Sequence, residues 1–128
     1  MAGAKLDSAG TIRLKTLDDA LLLLARVNNI VEQYGLALKR NQPTSSYTMN
    51  LRRTLPTLAE NLKSQFGLIA EQVLAVNLAS SRGASEAMRL RALREGVAQI
   101  KQAIEIAITQ TKDKYTVKDD ADEPKPAE

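Results

Sequence analysis

The sequence predicts an all-α protein, an up-down-up bundle of three long helices completed by self-association, and three observations carry that prediction. First, Leu51, Leu55, Leu58, Leu62, Phe66, Ile69, Val73 and Val76 recur at steps of three and four, which keeps them on one helical face. Second, comparable stripes lie before and after this one. Third, aromatic residues make up only 3% of the 128 residues. The interior must therefore be built from Leu, Ile, Val and Ala, and the β-branched residues fall at helical rather than alternating positions. A chain of this length fits one domain whose core needs neither disulfide nor metal.

Residues 1–15 mix Gly, Ala, Lys and Ser and read as a flexible N-terminal arm, with Thr11–Lys15 able to pair as a strand on a partner. The bundle is expected over residues 16–115. Thr16 opens the first helix, with Asp18 and Asp19 placing negative charge at its positive end. Leu17, Leu21, Leu24, Val27, Val31, Tyr34 and Leu38 form its apolar face, which Leu22, Leu23 and Ile30 widen enough to contact more than one neighbour. Lys39 and Arg40 sit at its C-terminal end, and residues 41–46, with Pro43, make the connection.

The second helix is expected as one rod from about Ser46 to Ser80, capped by Ser45 or Ser46 and kinked near Pro56, with a main rod starting at the Thr57–Glu60 capping box as the alternative. The stripe keeps its phase across that proline. Gly83 then suits a left-handed helix terminator. Ser85 caps the third helix, whose inner face carries Leu90, Leu93, Val97, Ile100, Ile104 and Ile108. Gly35, Gly67 and Gly96, isolated within helices, read as points of close helix approach. Residues 116–128 turn polar and then acidic, with Pro124 and Pro126, and read as a disordered tail. Spare apolar residues such as Leu68 and Ile106 leave a surface for a second copy.

The chemistry of sites is thin. With no His and no Cys, the chain lacks imidazole acid–base catalysis, a thiolate nucleophile, disulfides and Cys-based metal sites. Glu60 and Glu71 lie three turns apart on one helix, about 16 Å, too far to cooperate. The expectation is a non-enzymatic protein with no cofactor and no metal. The apolar run Ala20–Ala25 is far shorter than the roughly 20 residues that span a bilayer. No signal-type segment opens the chain, so a cytoplasmic location is expected.

Charge is the remaining lead. Residues 1–118 hold 17 Lys and Arg against 10 Asp and Glu, whereas residues 119–128 hold one Lys against five acids. In an up-down-up bundle, Lys39, Arg40, Arg52 and Arg53 gather at one pole, joined there by Lys112 and Lys114. Arg82, Arg89, Arg91 and Arg94 gather at the other, with Arg13 and Lys15. The planar fork of Arg suits bidentate phosphate contact, and few aromatics are available for base stacking beyond Tyr47 and Tyr115. The four residues of the first pole and the four Arg of the second point to sequence-independent contact with nucleic-acid backbone by a scaffold or subunit of a larger assembly. The acidic tail either keeps a basic protein soluble or folds over an Arg pole. The competing expectation is a protein–protein adaptor that docks a partner helix on the broad face of the first helix, with no nucleic-acid role.

The segment Arg52-Arg53-Thr54-Leu55-Pro56-Thr57-Leu58, with the Gly67-Leu68 step, resembles a helix of the small helical subunits of type III CRISPR effector complexes. A basic all-helical chain with an acidic end also resembles the accessory bundles that partner reverse transcriptases. Both resemblances rest on a minor part of the chain. They imply RNA-associated scaffolding and transfer no functional residue.

Overall fold

A computed structural model describes residues 5–6, 8–82 and 85–117. The chain is all-helical, but it forms four helices rather than three: α1 (Ser8–Lys39), α2 (Ser45–Lys63), α3 (Gly67–Arg82) and α4 (Glu86–Tyr115). A two-residue antiparallel pairing joins β1 (Lys5–Leu6) to β2 (Thr116–Val117), with Lys5 opposite Val117. None of the described helices is long and apolar enough to cross a membrane. The acidic residues from 119 onward and the terminator expected at Gly83 lie outside the described residues.

The first helix starts earlier than its caps predict. Residues 8–15 belong to α1 rather than to an arm, and Thr16 is internal, its hydroxyl donating back to the Ile12 carbonyl at 3.0 Å. The cause is packing, since Leu14, half-buried, and Gly10, buried, continue the phase of the fully buried Leu17 toward the N-terminus. At the other end Asn41 adopts φ 55°, and Gln42 N–H bonds the Ala37 carbonyl while Asn41 N–H bonds the Leu38 carbonyl. This pairing stops a helix with a left-handed residue. Pro43 follows, so α1 cannot resume.

Thr44, not Ser45 or Ser46, is the N-cap residue of α2, and its side chain makes no capping bond because its hydroxyl is spent on Glu86. Pro56 sits inside α2, where it deprives the Arg52 carbonyl of its helical partner. The helix nonetheless continues for two more turns, held by Leu55, Leu58, Ala59 and Leu62 in the core. What ends it is the Ser64–Gln65–Phe66 turn. Phe66 N–H bonds the Leu62 carbonyl at 2.7 Å, and the Phe66 carbonyl accepts the first bond of α3 from Ala70. Ser85 does cap α4, its hydroxyl accepting from Met88 N–H at 3.2 Å.

That extra turn makes the bundle up-down-up-down. Arg13 of α1 stacks over Phe66 and donates to the Gln65 carbonyl, so α2 descends along α1. Ser80 and Ser81 of α3 return to the level of Thr48 and Arg52. Glu86, opening α4, meets Tyr34 near the top of α1, and Lys114 meets the level of Arg13 at the bottom. Each helix packs on two others in the ring α1–α2–α3–α4. This explains the broad face of α1, which α2 and α4 share. One core results, from Leu17, Leu24, Val27, Val31 and Tyr34 through Leu55, Leu58, Leu62 and Val73 to Leu93, Val97, Ile100 and Ile104. The ring closes this core within one chain.

Two of the three isolated glycines mark close approach. A Cβ on Gly96 would lie 2.8 Å from Val76 Cγ1, and one on Gly35 would lie 2.6 Å from Arg94 Nη2 and 3.3 Å from Leu90 Cδ2. Gly67 does not, for no atom comes within 4 Å of a Cβ placed there. It opens α3 at the turn, where no helix crosses.

Candidate functional site

The reversal at residues 64–66 rearranges the charges expected at two poles. In a three-helix bundle the last helix would run parallel to the first. Here α4 runs antiparallel to α1, so its first turns arrive where α1 ends and α2 begins. Arg82, Arg89, Arg91 and Arg94 therefore join Lys39, Arg40, Arg52 and Arg53 at one end. Arg52 and Arg89 line the same small cleft, together with Tyr34, Thr48, Ser80 and Ser81. Lys112 and Lys114 go to the opposite end, where Lys114 and Arg13 share a groove.

The result is a strongly polarised spindle. The half made by residues 26–58 and 75–100 carries those eight cations and Arg26 against only Glu32, Glu86 and Glu95. All three acids are engaged. Glu95 pairs with Arg91 at 3.1 Å, one turn away on the same helix, and Glu32 reaches Arg94 at 3.8 Å across the α1–α4 seam. Glu86 accepts from the Thr44 hydroxyl and from Tyr34 OH at 3.5 Å. Lys39, Arg40, Arg52, Arg53 and Arg82, all exposed, form no ion pair with any described residue. Arg91 keeps 82% of its side-chain surface in water despite its pair. Exposed pairs of this kind contribute little, so the acids leave the pole strongly cationic.

Tyr34, Thr44 and Glu86 form a clamp that the stripe pattern does not reveal. Tyr34 is fully buried. Its phenol is pushed above the ordinary 10.0 chiefly by burial, then by the neighbouring Glu86 carboxylate, with Arg89 working against both. The clamp fixes the end of α1, the start of α2 and the start of α4 to one another, and so holds the cations they carry in one place. Its only sequence signal is a tyrosine in phase with the core, facing a first-turn glutamate. Recognising the pair requires knowing the direction of α4.

Aromatic side chains are withdrawn from this end. Tyr34 is inside, Tyr47 is half-buried against the core, and Phe66 lies at the far end beneath Arg13, whose guanidinium carbon is 5.4 Å from the ring centre. The arrangement can hold an anion by charge and by guanidinium forks, and among the described residues it offers no fully exposed aromatic ring on which a base could stack. Elsewhere, the outward side of α3 exposes Leu68, Leu74 and Leu78, with Leu68 at 80%. The broad face of α1 is largely consumed, and Ile12, Leu22 and Leu36 of that helix stand outside. No family model, curated protein or solved structure matches the chain.

Proposed function

We propose that the protein is a non-enzymatic helical scaffold, or a small subunit of a larger cytoplasmic assembly, that contacts nucleic-acid backbone through its cationic pole. The observation that carries this reading is the convergence of the four helices, which brings eight Lys and Arg together against three acids, two of them paired with Arg91 and Arg94 of the same set. A polyanion docking there releases counterions from its own backbone, so affinity should fall steeply with salt and be nearly indifferent to sequence. The test is a titration of mixed-sequence DNA and RNA probes between about 50 and 200 mM salt. Arg52→Ala with Arg53→Ala should weaken binding to every probe and lower the salt slope by about 2, roughly one unit for each phosphate no longer gripped. Unchanged affinity for both DNA and RNA overturns the reading.

A second reading is supported by the outer side of α3, where Leu68, Leu74 and Leu78 stand in water with Glu71 the only charge before Arg82. Scattered single apolar residues need no explanation, but three on one short helix favour an interface. On this reading the protein is an adaptor or homo-oligomer that docks a helix on α3 rather than on α1. Leu74→Gln with Leu78→Gln would then abolish self-association in sedimentation while leaving the helical content intact.

A further inference from the structure

The pole is an area rather than a line. Its cations come from all four helices and the turn after the first: Lys39 at the end of α1 and Arg40 just past it, Arg52 and Arg53 about two turns into α2, Arg82 at the end of α3 and Arg89 in the first turn of α4. Packed helices stand about 8–10 Å apart, so the set covers roughly 20 Å in both directions across the end of the bundle. We infer that this end selects duplex nucleic acid over single strands, gripping the two phosphate rows that border a groove. The inference rests on the reading of the pole as a backbone-binding site and adds the class of nucleic acid.

The geometry favours the duplex on two grounds. A single strand offers one row of phosphates, which in crossing the end of the bundle meets cations from two of the four helices. A duplex offers two rows, with a charge for about every 1.7 Å of axis. Its grooves, roughly 6 and 12 Å wide in B-form DNA, place both rows within the span of the pole. Single strands ordinarily recover affinity by stacking bases on exposed aromatic side chains. Here Tyr34 is buried, Tyr47 is half-buried on the core, and Phe66 and the Tyr115 backbone lie at the opposite end. Nothing described at the pole compensates a single strand for its missing second row.

The experiment is fluorescence anisotropy with the full chain and four labelled probes of about 20 nucleotides or base pairs: duplex DNA, duplex RNA and an unstructured single strand of each. Duplexes should bind at least about 10-fold more tightly near 100 mM salt. Lys39, Arg40, Arg52, Arg53 and Arg82 together set a duplex slope of about −4 to −5 in log K against log salt, and a single strand reaching two or three of them gives about −2. Arg52→Ala with Arg82→Ala removes one cation from each of two helices, and it should cut the duplex preference to within about 3-fold. Circular dichroism would check that this variant keeps its helices. Preference for either duplex, or equal binding of both, supports the inference, and the DNA and RNA arms show which groove fits. Single strands that bind as tightly as duplexes with an equal slope overturn it while leaving the backbone-binding reading intact. No binding to any probe overturns both.

Discussion

Alanine placed at Gly35, Gly67 or Gly96 makes one chemical change whose sign is set by what the new methyl group meets. In a helix interior, Gly→Ala gains about 1 kcal/mol of propensity. At Gly67 the methyl group enters open space at the first residue of α3, so Gly67→Ala should stabilise by about 0.5 kcal/mol, less than an interior position. At Gly35 the nearest atom, 2.6 Å away, is the tip of Arg94, a half-exposed and flexible side chain. Arg94 can swing aside at the cost of its long contact to Glu32, worth less than about 1 kcal/mol, so Gly35→Ala should be close to neutral. At Gly96 the methyl group strikes Val76, 2.8 Å from Cγ1 and 3.1 Å from Cβ. Valine on a helix has one strongly preferred rotamer and cannot turn away. Overpacking costs about 1–3 kcal/mol, and after the propensity gain Gly96→Ala should destabilise by up to about 2 kcal/mol. Urea denaturation reads the series as midpoint shifts at constant slope. Adding Val76→Ala removes the clash, so the two substitutions should couple by about 1–3 kcal/mol. A stabilising Gly96→Ala, or additivity with Val76→Ala, would refute the contact that sets α3 beside α4.

Further outcomes follow from the clamp, the cap and the acidic segment. Because the Tyr34 phenol titrates above 10.0 when folded, the unfolded chain loses that proton first as pH rises. Stability should therefore be intact below about pH 10 and decline above it. Tyr34→Phe should remove that alkaline decline, as thermal unfolding across the range about pH 9 to 11 would show. Ser85→Ala deletes the hydroxyl that caps α4 and should cost about 1 kcal/mol in denaturant midpoint. Neutralising Asp119, Asp120, Asp122 and Glu123 to the corresponding amides should change probe affinity less than about 2-fold at roughly 0.15 M salt. Their segment follows β2 at the end opposite Arg89: Arg89 to Tyr115 is about 39 Å of helix, whereas six residues past Val117 extend at most about 21 Å. Tenfold tightening would show that the acidic segment reaches the pole.

The helical stripes and nearly all of the core are legible in the sequence because burial alternates with the helical period wherever a helix has one wet side. Leu51 through Val76 form a stripe, yet they belong to two helices. Periodicity cannot reveal this, because helices folded back on each other aim the same residues inward that a single rod would. The steps from Leu62 to Phe66 and on to Ile69 pass through the turn without a change of phase. The two local signs of a break, Ser64 and Gly67, are the weak helix formers on either side of it, while Pro56, the stronger breaker, is tolerated. One turn more or less inverts the last helix. It also decides whether the cations divide between two poles or collect at one, although the identity of each residue is unchanged. Thr44 and Glu86 stay hidden for the same reason, since their bond exists only in the antiparallel arrangement.

The pairing of Lys5–Leu6 with Thr116–Val117 ties the start of α1 to the end of α4 at one end of the bundle, which has a practical consequence for engineering. A short linker between residues 5 and 117 would make the chain circular at little geometric cost. New termini opened at Ser64–Phe66 would then give a permutant with α3 first and α2 last. A fluorophore or affinity handle attached beside the native pairing would stand most of a helix length, about 40 Å, from Arg89. It could report on docking there without obstructing it.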